Sequence, residues 1–391
     1  MRIVWVLPDI GSYHYARMLA SVSAYDIKLH ILQVYGGSGF AEFEYTGPIN
    51  NSINIVRMAF SFNKEKNRVS LFTKSIEFNL TELRPDVVCV PGWGDWYALS
   101  ALSAAHRLKI PVIMFSESTA GDFQRVWWKE WIKSRILSTC SSALVGGSPH
   151  IEYLNSLRMN SSLIYTGYDT VDNGHFADSA KTVRNQAERD RSLINIQGKF
   201  FLCSARFIEK KNLSRVIEAF SRYKMLSIGR ADIDATPWKL VVLGDGELRG
   251  QLEQLVSRLE LEGSVILPGF KKYDELPLYY GLASVFVLAS TTEQWGLVVN
   301  EAMASGLPVL VSARCGCSAD LVRNGQNGFC FDPYDTEQLA NLMFKMTFDE
   351  TGLSLMAQQS QQIISAWSTR RFADGLAGAA RVAIATPRKV V

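Results

Sequence analysis

The chain has 391 residues, with 41 lysines and arginines against 38 aspartates and glutamates and a formal net charge of +3. Hydrophobic residues make up 47% and charged residues 20%, the balance of a globular protein with room for two domains, each able to bury its own core. So small a charge argues against nucleic acid, and the chain carries neither an aromatic-basic RNA motif nor a zinc spacing. The six cysteines, Cys89, Cys140, Cys203, Cys315, Cys317 and Cys330, fall mostly within apolar runs. Cys315 and Cys317 stand too close to look like a disulfide framework, so a reducing cytoplasm is expected. No stretch of 18 apolar residues occurs, and no spanning helix is expected.

The first apolar run, Arg2–Leu7, ends at Pro8 and is too short for a signal peptide, so it reads as a strand. Further strands are expected at Lys28–Gln33, Asn54–Met58, Asp86–Val90, Pro111–Phe115 and Ala143–Val145. Between them lie helical patterns at Tyr13–Val22, Ser70–Leu83, Asp95–Leu108, Val126–Ser138 and Pro149–Leu157. A polar stretch from Asp178 to Gln197, poor in bulky apolar residues, reads as an exposed segment just past a domain junction. The second half repeats the scheme, with strands at Phe200–Ser204, Lys239–Leu243, Ser264–Leu267, Ser284–Leu288, Pro308–Val311 and Gly328–Phe331, and an Ala-rich helix at the end. Regular alternation of strand and helix predicts α/β domains with parallel, doubly wound sheets. Ligands in such sheets bind beyond the carboxyl ends of the strands, so two facing domains would share a deep cleft.

The densest chemical signal is Glu293-Gln-Trp-Gly-Leu-Val-Val-Asn-Glu301, after the apolar run Ser284–Ala289. A helix is expected to begin near Gly296. Eight helical steps of about 100° would bring Glu301 to within about 80° of Glu293. The free amides of that helix start favour phosphate. One acid could reach a sugar, the amides a diphosphate and the other acid a ribose. Two exposed glutamates at this spacing also arise by chance, so the context decides. Upstream stand Ala205-Arg206-Phe-Ile-Glu-Lys-Lys211-Asn212, Leu243-Gly-Asp-Gly246 and Leu267-Pro-Gly-Phe270, and downstream Asn324-Gly-Gln-Asn-Gly-Phe329.

In order, spacing and wording these motifs resemble the C-terminal half of the retaining glycosyltransferases of family 4, over about residues 198 to 370. The resemblance implies the GT-B fold, with an acceptor-binding domain at 1–170 and a nucleotide-sugar-binding domain at 171–370. It implies that the helix at 371–391 crosses back to the first domain. Arg206 and Lys211, placed to aim at a phosphate above the sheet edge, would bind the donor diphosphate; otherwise they are solvated surface charges. Gly244 would lie near the nucleoside, Phe270 and Lys271 in the loop that reads the base, and Glu301 on the ribose hydroxyls. Glu293 would sit beside the transferred sugar, while Gly296, Leu297 and Val298 would offer backbone N–H groups to sugar and phosphate. The donor would be a UDP- or GDP-sugar, with no cofactor and no metal. A metal-dependent enzyme would want Asp-x-Asp after a strand, and Asp232-Ile-Asp234 precedes one and reads as a surface loop. At the junction, Asp169 and Asp172 read as turn caps.

The first half is less specific. Gly11 follows the first strand and would let backbone approach the donor phosphate. His14, also counted among the catalytic candidates, could contact acceptor or donor or be structural, and Arg17 lies on the same helix. Many relatives have a histidine near Ser116-Glu117-Ser118, which makes Glu117 and Asp122 candidate acceptor contacts, with capping as the alternative. Arg125, Lys129 and Lys133 form a basic stripe beside Trp128, Trp131 and Ile132, suited either to a membrane surface or to a packed helix with a charged face. The reading is a metal-independent, retaining transfer of sugar to a sugar, lipid-linked or small-molecule acceptor in polysaccharide or glycoconjugate synthesis. It would act in the cytoplasm or at the inner membrane face. Its rivals are a sugar-nucleotide epimerase of the same fold and a catalytically silent partner subunit.

Overall fold

Apolar runs buried on both faces build two wholly parallel sheets, as strands sandwiched between helices must. The computed structural model describes residues 1–35, 47–59, 68–228 and 237–386. The chain divides into two units, Met1–Asp172 with Trp367–Val391, and Asn173–Ala366.

The first unit runs β1 (Arg2–Leu7), α1 (Ser12–Ala24), β2 (Lys28–Tyr35), β3 (Ile53–Ala59), α2 (Arg68–Leu83), β4 (Val87–Pro91), α3 (Trp96–Arg107), β5 (Val112–Ser116), α4 (Trp127–Ser138), β6 (Ser142–Val145), α5 (Ser148–Ser156) and β7 (Ile164–Thr166). Its strand order is β3-β2-β1-β4-β5-β6-β7, so the chain changes direction across the sheet between β1 and β4. The last helix of the protein also belongs here. It packs Phe372 and Leu376 into the cluster of Ile3, Trp5, Phe115 and Leu144, with Phe372 stacked on Trp5 at 5.6 Å. Glycine makes this approach possible: a Cβ on Gly375 would lie 2.4 Å from the Thr166 carbonyl oxygen.

The second unit runs α6 (Asn173–Asn185), α7 (Ala187–Ile194), β8 (Phe200–Ser204), α8 (Leu213–Ile228), β9 (Lys239–Leu243), α9 (Arg249–Arg258), β10 (Val265–Gly269), α10 (Leu276–Leu282), β11 (Val285–Leu288), α11 (Leu297–Ala304), β12 (Val309–Ser312), α12 (Ser318–Leu321), β13 (Gly328–Phe331), α13 (Thr336–Lys345) and α14 (Glu350–Ser365), after which α15 (Thr369–Ala385) returns to the first unit. Strand order β10-β9-β8-β11-β12-β13 puts the switch point between β8 and β11. In open parallel sheets ligands bind beyond the carboxyl ends of the strands at such a point.

The sequence reading differs from the structure in two places. The short strand β7 was not anticipated. The polar stretch from Asp178 to Gln197 is mostly exposed, as expected, but it is helical, forming the end of α6 and all of α7. One side of α6 buries Phe176 and Ala180, and Phe176 meets Tyr273 and Tyr280 edge-on at 5.4 and 5.9 Å. A helix with one narrow apolar stripe looks polar in composition yet still packs. All six cysteines are free thiols.

Candidate active site

In the second unit, backbone contacts between loops assemble the site. Gly244 and Gly246 hold φ of +123° and +156°. A Cβ on Gly244 would lie 1.9 Å from the Ala205 carbonyl oxygen. That close approach lets Ala205 donate to Leu243, Gly244 to Gly269 and Phe207 to Asp245, at 3.0, 3.0 and 2.8 Å. The ends of β8, β9 and β10 are thereby joined. Arg206 stands exposed on the first loop and Phe270, 38% exposed, on the third. Lys271 lies with Nζ 5.5 Å over the ring of Tyr279.

After Arg206 the chain makes a 3-10 turn, Glu209–Lys211, closed by Asn212 at φ +58°. Lys211 therefore sits in this turn, before α8. The buried Asn212 amide donates to the carbonyls of Ala289 and Pro333 at 3.1 and 2.7 Å, and Thr291 N donates to Lys210 O at 2.8 Å. The loop after β8 is thus fastened to the loop after β11, and its lysines meet Glu293. Lys211 Nζ pairs with Oε2, Ser290 donates to the same oxygen at 3.2 Å, and Lys210 Nζ lies 3.7 Å from Oε1. The Lys211 and Glu293 side chains each keep only 13% of their surface exposed. Behind them, Glu293 N donates to Arg314 O at 3.4 Å and Gly316 N to Glu293 O at 2.9 Å. Burial, then the Glu293 carboxylate, push the Cys315 thiol up, so it stays neutral.

Gly296, at φ +106°, caps α11 without a side chain, and a Cβ there would press on Leu288 Cδ2 at 3.1 Å. The first amides of α11, Leu297 and Val298, have no acceptor within the helix and carry its positive end. They lie next to Glu293 in the chain. Contrary to the expected helical stepping, the two glutamates do not share a helix. Glu293 precedes α11, and only Glu301 is helical. Glu301 is fully buried, its Oε2 accepting the Tyr280 hydroxyl at 2.7 Å. Trp295 is also interior, its indole donating to Asn300 at 2.8 Å.

The Arg-x4-Lys spacing selects Lys211 over Lys210, whereas both lysines reach Glu293, and Ser290 and Asn212 carry no site role in the sequence reading. Asn212 carried a signal, because asparagine tolerates the left-handed conformation that closes the turn. Asp232 and Asp234 lie outside the described residues.

In the first unit the candidates separate. Gly11 caps α1, and its N–H donates to His14 Nδ1 at 3.3 Å. The His14 ring sits edge-on to Trp5 at 5.8 Å. Burial, then the Arg17 guanidinium, push its pKa down to about 3, so the imidazole is neutral, although some of the residue still reaches solvent. Arg17 is corrected from acceptor contact to interior strut. It is 2% exposed, donates to Thr170 O at 3.0 Å and lies 5.1 Å over the ring of Tyr168. Asp169, read as a turn cap, is instead buried, and burial followed by the nearby Glu117 holds its carboxyl well above the usual range. Asp122 is buried too, and accepts from Thr119 N and Oγ1 at 2.7 and 2.5 Å. That is the capping alternative, which leaves Glu117 as the half-exposed acid of this loop. The basic stripe is also corrected: Arg125 donates to Tyr153 Oη at 2.8 Å, and Lys133 to Glu130 and the same hydroxyl at 2.8 and 3.0 Å.

Residues 184–363 match the family model described as Glycosyl transferases group 1. Among curated proteins, the chain is 37% identical over 124 residues to the alpha-monoglucosyldiacylglycerol synthase of Streptococcus pneumoniae, covering 31% of this chain and 26% of that one. The chain spans less than half the length of the curated relatives it matches. Among solved structures, a glycosyltransferase from Rickettsia africae superposes with a TM-score of 0.76 at 15% identity, covering 97% of this chain and 98% of that one. Anabaena HepE in complex with UDP-glucose superposes with a TM-score of 0.70 at 16% identity, covering 96% and 98%. By fold the chain is an α/β protein of the GT-B type, and residues 184–363, within its second unit, are similar to the Glycosyl transferases group 1 family.

Proposed function

We propose that the protein is a retaining, metal-independent glycosyltransferase that moves a sugar from a nucleoside-diphosphate sugar to an acceptor hydroxyl. The observation that carries this reading is the convergence of Lys211, Lys210 and Ser290 on Glu293 beside the open N-terminus of α11. HepE, of like fold, is named in complex with UDP-glucose, which supports a UDP-sugar donor.

In this reading Arg206, Lys211 and the Leu297 and Val298 amides receive the charge that develops on the leaving phosphate. Fixed cations and amides can supply that stabilisation. The bond from the anomeric carbon to the phosphate oxygen breaks, and the acceptor oxygen bonds to the same face. The acceptor proton passes to the departing phosphate. Glu293, its two oxygens facing Lys211, Ser290 and Lys210, suits a stationary carboxylate facing the positive anomeric carbon better than a nucleophile. Glu301, held by Tyr280, faces the ribose once the donor is seated, and Phe270 and Lys271 face the base. His14, Gly11 and Glu117 remain the candidates of the first unit for acceptor or donor.

An alpha-monoglucosyldiacylglycerol synthase among the relatives supports a lipid-borne acceptor in surface glycoconjugate synthesis at the inner membrane face. Among the described residues no helix is long and apolar enough to cross a membrane.

The test is nucleotide release from UDP- and GDP-sugars in the presence of a chelator, with and without a membrane lipid extract, for the parent, Glu293→Ala and Lys211→Ala. Release from one donor that both variants abolish, with the product's anomeric configuration retained by NMR, is expected. No release from any donor and no nucleotide binding by calorimetry would sink the reading. Dependence on added divalent metal would sink its metal-independent part.

A further inference from the structure

Helix α4 wears its amphipathic character inside out. Three of its polar residues, Glu130, Lys133 and Ser134, face the protein: Lys133 bonds to Glu130 and Tyr153, and Ser134 donates to Leu157 O at 2.8 Å. Leu137 is buried in the core of the first unit and Ile136 packs against it, but the remaining apolar residues of the helix face outward. Trp127 is 81% exposed, Trp131 57%, Trp128 47% and Ile132 42%, and Phe123, just ahead of the helix, is 76% exposed. At about 100° per residue, Trp127, Trp131, Arg135, Trp128 and Ile132 fall within an arc of about 140°. A surface helix ordinarily does the reverse, and a contiguous exposed patch of this kind marks an interaction site.

We propose that this face docks on an anionic lipid bilayer. Tryptophan, with an apolar ring and one N–H, is the side chain that settles at the headgroup level. The cations of the face are placed to match. Lys129 Nζ lies 5.5 Å over the ring of Trp128 and the Arg135 guanidinium 5.3 Å over that of Trp131, so their charges border the aromatic patch. The one acid of α4, Glu130, is turned away and paired with Lys133. The outward charge is therefore positive, as anionic headgroups require. A second copy fits this face less well. A two-fold contact sets the same patch against itself, which would bring Lys129 and Arg135 of both copies together without an acid between them.

Docking deepens the lipid-acceptor part of the proposed function and rests on it for its meaning, yet it is measured without turnover. The experiment is flotation with vesicles of phosphatidylcholine alone or with phosphatidylglycerol, together with quenching of tryptophan fluorescence by brominated acyl chains. The expected result is flotation and quenching with phosphatidylglycerol vesicles only. The double variants Trp127→Ser/Trp131→Ser and Lys129→Glu/Arg135→Glu should each partition at least tenfold less. All four side chains are exposed, and unchanged melting temperatures would confirm intact folding. A parent that stays unbound, or a tryptophan double variant that floats like the parent, would overturn the proposal. So would a dimer on chromatography that the tryptophan changes dissolve, since the occupant would then be a second copy. Donor hydrolysis is read alongside. Lost binding with hydrolysis intact counts against docking alone, and intact binding with no donor turnover counts against the transferase reading alone.

Discussion

Lys211→Ala takes away the ammonium that pairs with Glu293 Oε2, at a place where both side chains are only 13% exposed. Two unit charges about 4 Å apart attract by about 4 kcal/mol at an effective dielectric of about 20. Desolvation cancels much of that, and Lys210, 3.7 Å from Oε1, still compensates the carboxylate. The net loss of folding stability is therefore about 1–2 kcal/mol. In the proposed reaction the catalytic loss is larger, because there Lys211 is a fixed cation acting where charge develops on the leaving phosphate. One such donor contributes about 3 kcal/mol, about a hundredfold in kcat. The assay is steady-state nucleotide release from the donor the parent accepts, run as a double-mutant cycle with Glu293→Gln, with denaturant melts of each variant. The expected result is a kcat about a hundredfold lower for Lys211→Ala, and a double variant little worse than either single one, since residues acting as a unit are not additive. A kcat within threefold of the parent, or losses that simply multiply, would mean a structural ion pair and refute the reasoning.

Gly244→Ala places a Cβ where 1.9 Å separates it from the Ala205 carbonyl, at φ +123°. It should lower stability by about 3 kcal/mol and cut donor turnover by displacing Arg206, as thermal melts and kinetics would report; an unchanged melting temperature would show that the loops are not held by this approach. His14 gives a pH dependence. Its unfolded pKa is about 6.5, and the folded value is pushed down to about 3 by burial and then by Arg17. The unfolded chain takes the proton first, so this contribution to stability is full above about pH 6.5 and is lost as pH falls toward 3. Denaturant midpoints of the parent should fall between pH 6.5 and 4.5 more steeply than those of His14→Asn, and equal slopes would contradict a neutral, covered imidazole.

Much of the fold is written locally. Runs such as Phe200–Ser204 and Lys239–Leu243 are apolar on both faces, bounded by turn residues, and coincide with β8 and β9. The loop residues of the second unit were legible because their chemistry is tied to short motifs. Where the reading went astray, the missing information was tertiary. Composition showed 178–197 to be exposed but not that it is helical, since the apolar contacts that hold α6 rest on a stripe as narrow as Phe176 and Ala180. Arg17 was an acceptor candidate and Arg125 and Lys133 part of a basic stripe because their partners, Thr170 and Tyr153, depend on how the chain folds back.

By itself, then, the sequence determined the alternation of strands and helices, the two parallel sheets and the residue types at the donor motifs, because period, turn chemistry and motif spacing are local properties of the chain. Only the tertiary structure decided that the loops after β8 and β11 meet at a switch point, so that Lys211 reaches Glu293 across 82 positions of chain, with Lys210 beside it. Only it decided that Glu301 is enclosed by Tyr280, and that α4 turns its tryptophans outward. Contacts between distant segments depend on strand order and on which face each helix covers, and neither is encoded within a single stretch of residues.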